Sequence, residues 1–150
     1  MFGMLLACAS VLADGRVAIP VVTPEQLEEA ETLARIEQRG DVTVRFRVRS
    51  TAPVGGRVEA FGLEAEARFK DLYQGEGQPT RPSRDRFRVE LSPKAQAELA
   101  EAGVADLKKH FDAREVEVRG TVEVMDSWCF PIVRVYTIRV ERAEQIRAVR

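Results

Sequence analysis

Arg45, Arg47 and Arg49 fall at every second position of one run, and Arg86 and Arg88 do so in another. In an extended chain that spacing sets the guanidinium groups side by side on one face. Each offers a planar fork of donors that suits a phosphate oxygen, so a groove of such groups can follow a nucleic-acid backbone. Arg81 and Arg84 lengthen the set. A second constellation is the segment Met125-Asp126-Ser127-Trp128-Cys129-Phe130-Pro131. Trp128 and Phe130 there can form a small contact patch for a base, a sugar ring or a protein. Their competing role is to pack into the end of a barrel.

Carboxylates weigh against the phosphate reading. Glu64 and Glu66 alternate outward on one run, and Glu115, Glu117 and Glu123 on another. If these runs flank the first arginine strand, the surface alternates Glu, Arg, Glu, Arg from strand to strand. Such a ladder is cross-strand pairing worth roughly 0.2–1 kcal/mol per pair. It also cancels the field that a polyanion needs. Phe46, Phe61, Phe69 and Phe87 all fall on the opposite, inward register. None of these rings is therefore placed to stack a base.

No arrangement of catalytic or metal-binding grade is present. His110 is the only histidine, and the cysteines are Cys8 and Cys129. Together they cannot make a four-ligand zinc site of nitrogen and sulfur donors. His110 lies at a helix end, where the dipole favours a cation. Gly55-Gly56 and Gly75-x-Gly77 lack the following helix that makes a phosphate loop. No nucleophile elbow appears. Cys129 is expected to be a packed thiol. No cofactor, no metal and no enzymatic activity are expected.

These side chains need strands to hold them. Val42 to Arg49 alternates apolar and polar residues, with Val42, Val44, Phe46 and Val48 inward. Phe61, Leu63, Ala65, Ala67 and Phe69 line the buried side of a second strand, and Phe87, Val89 and Leu91 that of a third. Between them, 74–83 holds two glycines and two prolines and is expected to be a long exposed loop. Ser92-Pro93 opens a helix that Gly103 ends, and a further helical stretch turns Leu107 and Phe111 inward. Val116, Val118, Val122 and Val124 form a fourth strand interrupted by Gly120, which suits a bulge or tight bend. Ile132 to Val140 is the fifth. Ahead of all of them, Thr23-Pro24-Glu25-Gln26 starts a helix that Gly40 ends.

Three strands, a helix and two strands is the order of an OB-type barrel. The chain also resembles small bacterial single-domain OB-fold proteins, nucleic-acid-binding-like barrels that are mostly of unknown function. The resemblance lies in Leu107-Lys108-Lys109-His110-Phe111 followed by Glu115-Val116-Glu117-Val118-Arg119-Gly120-Thr121-Val122, and in Val42-Thr43-Val44-Arg45-Phe46. It spans residues 42–148, about two thirds of the chain. It implies a fold and carries over no catalytic residue.

The expected architecture is mainly β: a five-stranded OB-like closed barrel with a helix between strands three and four and an extra N-terminal helix. Residues 1–13 form a signal-peptide-like leader, 14–40 a helical extension, and 41–150 the OB domain. The leader is uncharged and apolar, and Val11-Leu12-Ala13 suits signal peptidase. Leu5-Leu6-Ala7-Cys8 gives a lipid anchor at Cys8 as a lesser variant. The expected location is periplasmic or secreted, with the cytoplasm as alternative. No run is long enough for a transmembrane helix. The net charge of −1 favours neither nucleic acid nor an anionic membrane.

The expected function is a non-enzymatic binding or interaction module. Its binding residues are Trp128, Phe130, Arg45, Arg47, Arg86 and Arg88, and its partner is a protein, glycan or small ligand. Nucleic acid ranks below these. The alternative is weak single-stranded nucleic-acid binding, with arginines on phosphates and Trp128 stacking.

Overall fold

In a computed structural model of the chain, residues 21–54, 60–69, 84–126 and 133–149 are described. The leader with Cys8, the loop at 74–83 with Arg81, and the segment holding Trp128, Cys129 and Phe130 lie outside these residues.

The elements follow the apolar periodicity closely. Strand β1 (Val21–Val22) leads into a single 3-10 stretch (Pro24–Glu28) and helix α1 (Ala30–Arg39). Strands β2 (Val42–Pro53), β3 (Phe61–Ala65) and β4 (Arg86–Leu91) come next. Helices α2 (Pro93–Glu101) and α3 (Leu107–Phe111) precede β5 (Glu115–Gly120), β6 (Val122–Asp126), β7 (Arg134–Val140) and β8 (Ile146–Ala148).

The expected single N-terminal helix is two pieces. Glu29 is extended, with φ −73° and ψ 127°, and separates them. Leu27 is fully buried just before that break, so the 3-10 turn is anchored by packing into the core. Gln26 Oε1 accepts from the Thr23 amide at 2.9 Å, one arm of the expected capping box. Gly40 ends α1 at φ +77°, a conformation that costs glycine little.

The strands pair in the order β6-β7-β4-β3-β2-β5-β8, with β1 beside β2. All neighbours are antiparallel except β4 with β7 and β1 with β2. The expected five-stranded closed barrel is therefore corrected to eight strands in an open sheet. Two causes are visible. Thr121 interrupts the expected fourth strand and divides it into β5 and β6. Strand β8 then takes the edge of β5 opposite β2, pairing Val116 with Ala148 and Val118 with Ile146. Among the described residues no ladder joins β5 to β7. Because β5 and β6 are one bent stretch of chain, the sheet curls even though its hydrogen bonding stays open.

Inside the curl lie Val42, Val44, Phe46, Leu63, Phe87, Val89, Val118 and Ile138, all essentially without exposure. Phe46 and Phe87 meet edge-to-face at 5.1 Å. Phe69, beyond the end of β3, stacks on Tyr136 at 5.5 Å. The two-residue alternation thus did set which face is buried on β2, β3 and β4. Helices α2 and α3 cover one end of this core through Ala95, Leu99 and Phe111. Ser92 Oγ caps α2 by accepting from the Ala95 amide at 3.2 Å. Gly103, at φ +94°, ends the α2 turn as expected, and the Val104 amide donates to the Leu99 carbonyl at 2.9 Å.

Candidate nucleic-acid interface

The strand alternation puts the arginines outward, and the register decides what each one meets. Arg45 lies opposite Glu117 on β5 and donates from Nε to Glu117 Oε1 at 2.9 Å. Glu115 stands 3.8 Å away on its other side. Arg147 of β8 also donates from Nε to Glu117, at 2.7 Å. Glu117 is only 5% exposed. Hydrogen bonds from Arg45 and Arg147 hold its carboxyl below the usual carboxylate range. Arg45 is thus half of a structural pair. The expected alternation of carboxylate and arginine is real across β2, β5 and β8.

The face formed by β2, β3 and β4 differs. Arg47 reaches Glu66 only at 3.9 Å, and Arg86 reaches Glu64 only at 3.9 Å. Arg88 meets Glu90 at 3.1 Å. Arg49, at the register shift between Val48 and Ser50, has no carboxylate partner among the described residues. Arg68 and Arg84 continue the outward alternation past the ends of β3 and β4, and both are exposed. Their side chains likewise have no carboxylate partner among the described residues. Arg47, Arg49, Arg68, Arg84, Arg86 and Arg88 therefore face Glu64, Glu66 and Glu90. Asp85 accepts from the Arg134 amide and Glu25 from the Arg68 amide, and Glu115 lies opposite Arg47 in the β2–β5 register. Arg49, Arg68 and Arg84 thus meet no carboxylate among the described residues, on a chain whose net charge is −1.

The structure does not join all the sequence-derived site residues. Arg47, Arg86 and Arg88 share the face with Arg49, whereas Arg45 belongs to the Glu117 pair. Trp128 and Phe130 fall outside the described residues. Met125 and Asp126, expected in their loop, are instead the end of β6.

Sequence reasoning missed a recess on this face. Ser50, Ala52, Val54, Gly62, Leu63, Glu64 and Arg88 line a depression of about 140 Å³. At Gly62 the backbone is packed closely by Val54 and Ala52. A Cβ there would stand 3.0 Å from Val54 Cγ2 and 3.1 Å from the Ala52 carbonyl. A glycine at an outward strand position was the available signal.

His110 lies in the last turn of α3 as expected, but its charged form is not favoured there. Burial pushes its pKa down, and the Arg114 charge acts the same way. The ring packs edge-on to Phe111 at 4.7 Å. Among the described residues no cluster of potential metal ligands occurs, and no helix is long and apolar enough to cross a membrane.

The pairing of β2 with both β3 and β5, the parallel β4–β7 pair, and helices between β4 and β5 are the connections of an OB fold. No protein-family model matches the chain, and no curated protein matches it. Among solved structures, it is similar to a Plasmodium falciparum SSB in complex with ssDNA. The TM-score is 0.39 and the identity 10%, over 73% of this chain and 92% of that one. It is also similar to the small single-stranded DNA-binding protein from Streptomyces coelicolor. There the TM-score is 0.34 and the identity 16%, over 73% of this chain and 89% of that one. The ranking of nucleic acid below protein, glycan and small-ligand partners is corrected accordingly: the matching structures are single-stranded DNA-binding proteins.

Proposed function

We propose that this chain is a non-enzymatic OB-fold module that binds single-stranded nucleic acid across the outer face of β2, β3 and β4. In this reading β2, β3, β4, the bent β5–β6 stretch and β7 are the five strands of a partly open OB barrel. The observation that carries the proposal is the row of arginines on that face, above all Arg49, Arg68 and Arg84, whose side chains meet no carboxylate among the described residues. The OB architecture uses this same face, between its second and third strands, for oligonucleotides. The aromatic rings of β2, β3 and β4 point into the core, so phosphate contacts dominate and base stacking contributes little from the strands.

The test is fluorescence anisotropy of a labelled oligothymidylate titrated with the protein over a range of NaCl concentrations. Contacts from Arg49, Arg68 and Arg84 give a slope of log K against log salt of roughly −2, at about −0.7 per phosphate for single strands. A folded protein that leaves the oligonucleotide free at low salt refutes the proposal. So does binding that ignores salt.

A further inference from the structure

We infer that the recess between β2, β3 and β4 reads a guanine base. This rests on the nucleic-acid reading above and adds a base preference to it. Glu64 and Arg88 stand directly opposite each other in the β3–β4 register, and both line the recess. No ion pair within 4 Å joins them, although opposite charges so placed ordinarily pair. Glu64 is held only loosely, by the Ser50 hydroxyl at 3.5 Å and Arg86 at 3.9 Å. Arg88 uses a terminal nitrogen on Glu90, and its Nε is buried without a partner. An acceptor pair and an unsatisfied donor therefore belong to the two charged side chains that line this small recess. A buried donor left unmade is costly, and a ligand acceptor would relieve that cost.

The hollow is a surface depression of about 140 Å³.

The chemistry of the four bases selects among them. The Watson–Crick edge of guanine presents O6, N1–H and the N2 amine in a row. The two adjacent donors match the two oxygens of Glu64, and O6 accepts from Arg88. Cytosine and adenine offer one amine beside a ring acceptor, which a carboxylate repels. Thymine offers one N–H between two carbonyl oxygens. Guanine alone satisfies both walls of the recess.

The experiment uses the full chain and oligothymidylates carrying one central guanine, inosine, adenine or cytosine. Anisotropy at fixed low salt should show the guanine strand binding about tenfold tighter than plain oligothymidylate, within the range of a good bidentate base contact. Inosine, which lacks the N2 amine, should lose most of that gain. In Glu64→Gln the ratio of guanine to thymine affinity should fall toward one, with thermal melting checking that the variant is folded. The inosine comparison uses wild-type protein alone and so stands even if the variant does not fold. Equal binding of all five strands overturns the guanine assignment and leaves the nucleic-acid reading intact. No binding of any strand overturns both.

Discussion

Arg45 donates from Nε to Glu117 at 2.9 Å across the β2–β5 pair, and Glu117 is almost wholly removed from solvent there. Arg147 closes on the same carboxylate from β8 at 2.7 Å. One outward-facing acid thus ties three strands together. Both guanidinium groups keep water contact, so the arrangement avoids the heavy desolvation of a fully buried triad.

Glu117 gives stability a pH dependence. Its pKa is lowered in the fold, so its contribution is complete above the ordinary value of 4.5 and is lost as pH falls through the lowered value. The urea midpoint of the wild type should therefore fall on acidification below about pH 4.5. Glu117→Gln should be less stable at pH 7 and should lack this part of the acid dependence. Parallel curves for the two proteins would show that the carboxylate is not what titrates.

Gly120 is a packing requirement at the end of β5. A Cβ built there lies 2.8 Å from Ile138 Cγ2, and Ile138 is fully buried and stiff because it branches at Cβ. Neither side can yield cheaply. Gly120→Ala should destabilise by about 1–3 kcal/mol, the scale of overpacking a core. A melting temperature equal to the wild type would show that the β5–β6 bend relaxes freely.

Ser92 is a cap whose loss should be modest. Ser92→Ala removes the acceptor for the Ala95 amide and should cost about 1 kcal/mol in chemical denaturation. Oligonucleotide affinity should not change, because α2 lies away from the β2–β3–β4 face.

Arg49 and Arg45 separate phosphate binding from strand pairing. Arg49→Ala should weaken oligothymidylate binding and reduce the salt slope by about 0.7, the loss of one phosphate contact. Arg45→Ala should lower stability by releasing Glu117, with a smaller effect on the slope. Anisotropy across salt, with melting on the same samples, distinguishes the two outcomes.

The sequence by itself determined the buried and exposed faces. Alternation in Val42–Arg49 and Arg86–Leu91 needs only the two-residue repeat of an extended chain. The Ser92 cap and Gly103 stop were equally local, set by one hydroxyl and one positive φ. Tertiary structure decided everything that depended on which strand lies beside which. Arg45 and Arg49 are four residues apart on one strand, yet Arg45 meets Glu117 while Arg49, at a register shift, meets no carboxylate among the described residues. The short strand β8 and the division at Thr121 opened the expected barrel, and neither has enough alternating residues to be visible in sequence. The recess of Ser50, Gly62, Glu64 and Arg88 exists only once three strands are in register, because its walls come from distant parts of the chain.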